Sequence, residues 1–464
     1  MQRRERRSTT RLAVSLVALG LLWRAPVPAA LAAGDAWREA KRTASDAGAA
    51  DHFGISVATS GERIVVGAHG DDFPGADRGA AYVYEWDGAE WRETKLTASD
   101  GAPLDEFGIS VGTSGDRVVV GSRYDDDHGG DSGSVYVYEW DGAAWAEAKL
   151  TASDGDPDDR FGSAVAISGD RIVVGSPLDD DRGNAAGALY VYDWDGIEWV
   201  ETKLTASDGS DADHLGLSVA VSENRVVVGS RRDDDDGASS GAAYVFTWDG
   251  IEWVETKLTA SDGAFNDWYG TSVAVSGDRV VVGSWFDDTP NGTDSGSAYV
   301  YDWNGAEWVE TKLIASDGEG FDDYGHSVAI VGDRIVVGAY SGDGRGFGSD
   351  TGTAYIYDWD GSAWARPRLA ANDADSLHRY AYSAALSEER IVVGAQRDDD
   401  ERTDSGSAYG YEMGDGLTLA VSGACPGEVS VTVTTAQPDE DVMLFVGLDA
   451  GRSFVPSGVC AGTE

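Results

Sequence analysis

A single module recurs seven times along this chain, marked by an aromatic residue or leucine followed by a small residue at the head of a short apolar run. The marker stands at Phe53-Gly54, Phe107-Gly108, Phe161-Gly162, Leu215-Gly216, Tyr269-Gly270, Tyr324-Gly325 and Tyr380-Ala381. Its period is 54 residues four times, then 55 and 56. A period near fifty restricts the chain to a repeat architecture, in which each unit buries its apolar face against the next.

The second copy shows what one unit is. After Phe107-Gly108 comes Ser110 to Ser114, a Gly115-Asp116 turn, and Arg117-Val118-Val119-Val120-Gly121-Ser122, a valine run suited to a buried strand. An acidic loop follows, then Val135 to Trp140, an Asp141-Gly142 turn and a return from Trp145 to Thr151. Asp-Gly between two aromatic runs signals a tight hairpin, because both turn residues tolerate positive φ. The unit is therefore four antiparallel strands, a to d, and seven such units predict an all-β, seven-bladed β-propeller. The ends of the array predict closure. The seventh strand c, Ser407 to Glu412, lacks a Trp-containing return strand, and an unpaired d-type strand, Trp37 to Thr43, precedes the first unit. Joining the two closes the ring and leaves no open sheet edge.

Each c-d turn is flanked by two tryptophans: Trp86 and Trp91, Trp140 and Trp145, Trp194 and Trp199, Trp248 and Trp253, Trp303 and Trp308, Trp359 and Trp364. Recurrence at a hairpin points to aromatic contacts between the outer strands of neighbouring blades rather than to sugar-stacking platforms. With Phe-Gly-x-Ser-Val-Ala, a short turn and Val-Val-Val-Gly-Ser in register seven times, the chain from about 37 to 413 resembles FG-GAP repeats. These are the blades of the integrin alpha-subunit propeller, here in the variant of bacterial secreted proteins. The resemblance implies a propeller at an extracellular surface, used for adhesion or ligand binding. Integrin blades often carry a calcium loop in the a-b turn. Here that turn is Ser114-Gly115-Asp116-Arg117 or its equivalents, and one carboxylate beside an arginine cannot supply six or more oxygen ligands.

Residues 1–33 read as an export signal: Arg3, Arg4, Arg6, Arg7 and Arg11, an apolar stretch from Leu12 to Trp23, and Ala30-Leu31-Ala32 as a cleavage site. The stretch is too short to span a bilayer, so no membrane insertion is expected after cleavage. The formal net charge of −47 excludes nucleic acid as a partner, since its binding depends on neutralising phosphates with cations. The two cysteines, Cys425 and Cys460, predict one disulfide in an exported chain. They belong to a small β-sandwich-like unit over 415–464, which stops abruptly at Gly462-Thr463-Glu464, as a truncated unit would.

The carboxylates gather in two connections. Asp100 with Asp105 and Asp154 with Asp159 lie in d-to-a loops, and Asp125, Asp126, Asp127, Asp131, Asp179, Asp180 and Asp181 lie in b-to-c loops. In an up-and-down blade both connections emerge on one face, which must be strongly acidic. Three readings of that face stand open: a solvated rim whose aspartates cap turns, Ca²⁺ sites built from these carboxylates, or a surface for a cationic partner. The sequence requires no cofactor, and Ca²⁺ is the one these loops admit. The six histidines fall on different blades and show no catalytic spacing. His52 and His214 share one repeat position, which Glu106, Arg160, Trp268, Asp323 and Arg379 occupy elsewhere, as at a tolerant loop site. The expectation is a monomeric, secreted or cell-surface binding or adhesion module without catalytic activity over 34–414, its partner an extracellular protein or glycan. The alternatives are an acidic structural envelope scaffold and a Ca²⁺-dependent glycan-binding propeller presenting Trp268 and Trp285.

Overall fold

The computed structural model describes residues 10–11, 37–72, 77–342, 351–365, 368–369, 378–413, 418–423 and 429–434. Residues 40–410 form one compact unit, and residues 1–39 with 411–464 form another. Blade 2 is typical: strands a (Ser110–Ser114), b (Arg117–Ser122), c (Ser134–Trp140) and d (Trp145–Leu150) pair in the order a-b-c-d, all antiparallel. Blades 1, 3, 4 and 5 repeat it. In blade 6, strand d is split into Trp364–Ala365 and Arg368–Leu369, both paired with Thr353–Trp359. In blade 7, strands Tyr380–Leu386, Arg390–Ala395 and Ser407–Met413 are completed by Trp37–Arg42 from the N-terminus. The a strands touch one another around the axis, and the seventh meets the first. The ring is closed as the sequence predicts.

Among the described residues, apolar side chains are buried in layers between successive blades rather than in one core. Val65, Val83 and Leu96 of blade 1 pack against Phe107, Val118, Val120, Tyr136 and Tyr138 of blade 2. Val392 and Ala408 of blade 7 complete the layer around Phe53, Ile64 and Tyr82 of blade 1. A strand buried on both faces needs a continuous apolar run rather than alternation, which is why strand b reads Val118-Val119-Val120. Strand d lies outermost, and Trp199–Leu204 alternates half-buried and exposed along most of its length.

The marker dipeptide is an inter-blade joint. Phe107 stands edge-on to Tyr136 of its own blade at 5.3 Å. Gly108 takes φ +93, and a Cβ there would lie 2.2 Å from the Ala80 carbonyl oxygen of the preceding blade. Its own carbonyl accepts a hydrogen bond from Ser56 Oγ of that blade at 2.9 Å. The same bond runs from Ser383 of blade 7 to Gly54 of blade 1 at 2.9 Å. On the opposite face, the paired tryptophans meet at a tilt within their hairpin, Trp140 against Trp145 at 5.3 Å and 53°. Their contact with the neighbouring blade is to a guanidinium rather than to another indole: Arg63 lies 4.8 Å from Trp145, and Arg390 closes the ring at 4.6 Å from Trp91.

Of residues 415–464, the structure describes a hairpin of Thr418–Gly423 with Val429–Thr434, with Thr10–Arg11 paired to its second strand. Cys425 and Cys460, with the expected disulfide, lie outside the described residues, as do 12–36, which hold the expected apolar stretch and cleavage site of the export signal. Among the described residues no helix is long and apolar enough to cross a membrane.

Candidate functional site

The d-to-a loop of one blade lies on the b-to-c loop of the blade before it; the backbone N–H groups of Asp158 and Arg160, for example, donate to the carbonyls of Gly130 and Asp131. The predicted acidic loops therefore share one face, and the structure shows what most of their aspartates do. Lys149, on strand d of blade 2, places its ammonium 2.9 Å from Asp100, 2.8 Å from Asp125 and 2.6 Å from Asp127. The Tyr136 hydroxyl lies between the first two, 2.7 Å from Asp100 and 2.9 Å from Asp125. Asp125 also accepts from Ser134 Oγ at 2.9 Å. Blade 3 repeats the arrangement with Lys203 on Asp154, Asp179 and Asp181 and Tyr190 between Asp154 and Asp179. Blade 4 builds the same centre around Lys257, and Lys95, Lys312 and Lys41 pair with two aspartates each in blades 1, 5 and 7.

Electrostatics follow from this geometry. Burial alone would raise the Asp100 carboxyl, but hydrogen bonds from Tyr136 and Lys149 outweigh it and hold the group below the usual range. Burial would lower the Lys149 ammonium, and its hydrogen bonds to Asp125, Asp127 and Asp100 raise it instead. The remaining candidates cap backbone: Asp105 accepts from the Ala102 N–H at 2.6 Å, Asp159 from Asp156 at 2.9 Å, and Asp126 from Asp131 at 2.9 Å. The Asp180 carbonyl receives the Gly183 N–H. Asp105 and Asp159 are pushed up to about 6, first by burial and then by neighbouring aspartates. An ammonium thus stands where a Ca²⁺ ion would need to sit in these loops, and the oxygens facing it are already engaged. Among the described residues no group of three or more His, Cys, Asp or Glu side chains is placed to hold a metal ion.

A different constellation lies nearer the axis on the same face, where the repeat departs from its own pattern. Two positions vary from blade to blade. One is the residue before the marker: His52, Glu106, Arg160, His214, Trp268, Asp323 and Arg379. The other follows strand b: His69, Arg123, Pro177, Arg231, Trp285, Tyr340 and Gln396. The structure brings these residues together across blade boundaries. Arg231 of blade 4 lies 4.7 Å from the Trp268 ring of blade 5. Trp285 of blade 5 meets His326 at 4.9 Å and Tyr340 at 5.8 Å in blade 6. His326 meets Tyr382 of blade 7 at 4.5 Å. His52 stacks on His69 at 5.2 Å, and its Nδ1 reaches the Gln396 carbonyl of blade 7 at 3.3 Å.

Three properties set this axial cluster apart from the scaffold. First, the position before the marker keeps one left-handed backbone, as do the positions of Leu104 and Asp131, but at φ +54 to +59 it is filled by five residue types in seven blades. Such a conformation costs a residue with a Cβ about 1–2 kcal/mol, and glycine stands there in no copy. Second, Arg160 Nε, Arg231 Nε, Trp285 Nε1 and His69 Nδ1 are buried without a hydrogen-bond partner. A buried polar atom left unpaired costs about 1–3 kcal/mol. Third, it concentrates arginine in an acidic protein. Arg123 is paired with Glu106 at 2.7 Å, whereas Arg160 and Arg231 have no carboxylate within 4.0 Å among the described residues. Burial, with arginines nearby, lowers His214 and His326 to about 4, leaving both neutral at pH 7. Trp268 and Trp285 were legible as candidates; their partners were not, because only the ring geometry joins residues 37 to 55 apart.

A closed ring of seven four-stranded blades defines a seven-bladed β-propeller. Seven successive stretches, residues 37–84, 91–138, 145–192, 199–246, 253–301, 308–357 and 365–411, match the FG-GAP repeat, and the chain belongs to the FG-GAP repeat family. Among solved structures it is similar to the β-propeller domain of the Trilobed protease from Pyrococcus furiosus, at 12% identity and a TM-score of 0.44, over 73% of this chain and 87% of that one. No curated protein matches it.

Proposed function

We propose that this FG-GAP propeller is an exported, monomeric binding or adhesion module without chemistry of its own, and that its extracellular ligand, a glycan or a protein, seats at the axial mouth between Arg231, Trp268, Trp285 and Tyr340. The observation that carries this reading is the meeting of Arg231, Trp268, Trp285, His326, Tyr340 and Tyr382 across the boundaries of blades 4 to 7, in a repeat that is otherwise nearly constant. The Lys-centred networks support the same division of labour: they satisfy the acidic loops internally and make them scaffold. The export signal and the family's adhesion role support an extracellular setting.

The test is a binding screen of the purified chain against extracellular glycans and proteins, repeated with Arg231→Ala and Trp285→Ala. Ligands of the wild-type chain are expected to be lost in both variants. Binding that survives both would remove the axial mouth from the reading and favour a purely structural scaffold.

A further inference from the structure

Strand d is the outermost strand of each blade. In blades 3, 4 and 5 it runs Trp199–Leu204, Trp253–Leu258 and Trp308–Leu313, with no strand beyond it among the described residues. Asp195 and Glu198 are hydrogen-bonded across the c-d turn, so antiparallel alternation turns the backbone groups of Trp199, Glu201 and Lys203 outward, away from strand c. An edge left open in this way is a template for another strand unless charge or proline blocks it. We propose that the rim of blades 3 to 5 docks an extended segment of another protein, added as a fifth strand along strand d and carrying an apolar side chain two residues from a basic one.

Two observations choose that occupant. Among the described residues, five of the eight exposed large apolar side chains lie here, at two repeat positions: Ile197 and Ile251 at the turn, 83% and 85% exposed, and Val200, Val254 and Val309 on the strand, each nearly half exposed. Scattered apolar residues are ordinary on a surface, but these recur at the same place in three consecutive blades. The same strand position holds Arg92 in blade 1, Ala146 in blade 2 and Arg38 in blade 7. Arg92 shows what an arginine does there: its guanidinium lies 2.6 Å from Asp87 and 3.8 Å from Glu90, the two carboxylates of its own turn. Valine at this position removes that cation. Asp195 and Glu198 in blade 3, Asp249 and Glu252 in blade 4 and Glu307 in blade 5 meet no cation among the described residues. The edges thus offer an apolar contact beside unneutralised carboxylates, and side chains two residues apart share a face of an extended strand. A second copy of this chain is disfavoured as the occupant, because two molecules of net charge −47 repel.

The experiment is fluorescence anisotropy of a labelled peptide, Thr-Val-Thr-Arg-Thr-Val-Thr-Arg-Thr, titrated with the full chain. Three comparison peptides carry glutamate for arginine, proline for the central threonine, or the same residues reordered so that valine and arginine fall on opposite faces. The expected result is binding of the first peptide, with the other three weaker by roughly tenfold or more, as the loss of a charge-assisted contact or of strand pairing requires. Val200→Arg combined with Val254→Arg and Val309→Arg gives blades 3 to 5 the arginine of blade 1 and weakens binding by a similar factor; a thermal midpoint equal to wild type shows that this variant is folded. Glu198→Gln combined with Glu252→Gln weakens binding as well and leaves the strands untouched. Failure of the first peptide to bind overturns the proposal, as does binding that survives the three arginines or that the glutamate, proline or reordered peptide shares. A wild-type dimer that the three arginines dissociate, read by analytical sedimentation, also overturns it and makes the rim a contact between two copies.

Discussion

Lys149→Met tests whether the acidic face is held together by its own lysines. The substitution keeps an unbranched chain of similar length and removes the ammonium that contacts Asp100, Asp125 and Asp127. The Asp125 side chain is only 5% exposed, so water cannot replace the lost partner, while Lys149 itself is 18% exposed. Breaking a buried ion pair from one side costs about 3–5 kcal/mol, and the partial exposure of the lysine places this case near the lower end. Unfolding entropy of about 2.1 cal/mol/K per residue, over the compact unit of residues 40–410, converts about 3 kcal/mol into a midpoint lower by about 4 °C. The cost is that of an uncompensated negative charge, so it shrinks where acid titrates the charge away. Urea unfolding at pH 7.5 and pH 5 should therefore show a smaller deficit at the lower pH. The double variant with Asp125→Asn should recover part of the loss, because asparagine removes the charge while its one oxygen still accepts from Tyr136 or Ser134. A coupling below about 0.5 kcal/mol in that cycle, or an equal deficit at both pH values, would refute the lysine-centred account.

The same geometry predicts that wild-type chain melts at one temperature in EDTA, in millimolar Ca²⁺ and in Mg²⁺ at matched ionic strength, whereas Lys149→Ala, with three carboxylates facing the vacated position, gains a Ca²⁺-specific rise; a Ca²⁺-specific rise in wild type would contradict the engaged donor set. Gly108→Ala, at φ +93 with its Cβ 2.2 Å from Ala80 O, should cost more than about 2 kcal/mol. Ala381→Gly, at φ +67, should instead be neutral or stabilising by up to about 1 kcal/mol, both read from thermal midpoints. Stability should also rise on mild acidification. Asp51, Asp105, Asp159, Asp213 and Asp267 are raised from 3.8 to about 6 by burial. The folded chain therefore binds more protons than the unfolded chain between those values, and stability increases as pH falls from 7 towards 5. Below about 4 the trend reverses, because Asp46, Asp100, Asp154, Asp208 and Asp262 are lowered in the folded state and lose their hydrogen-bonded charge. A steady loss of stability from pH 7 to pH 5 in urea midpoints would disprove this ordering.

What could be read from the chain and what could not divides along the range of the interactions. Strands a to d follow from local signals: a valine run for the doubly buried strand b, Asp-Gly for the c-d hairpin, and a missing return strand after Ser407 that matched Trp37–Arg42. The acidic face was legible as a concentration of aspartates, but its partner was not. Lys149 sits in a strand read only as the return of a tryptophan-flanked hairpin, and it reaches Asp100 from 49 residues away because the blade folds strand d back over the loop that precedes strand a. A search for lysines recurring with the aspartates, at 95, 149, 203, 257 and 312, would have found the counter-ions in the sequence. The axial cluster is harder. Its members are single residues in different blades, and any one of them looks like drift in a loop. The signal lies in the contrast: the repeat holds the marker, the valine strand and the Asp-Tyr-Lys set nearly constant. Yet it changes side chain in every blade at a position whose left-handed backbone favours glycine. That seven blades place five residue types there, around one axis and against the equally variable position after strand b, is the argument for looking for the ligand at the axial mouth rather than in the carboxylates that dominate the composition.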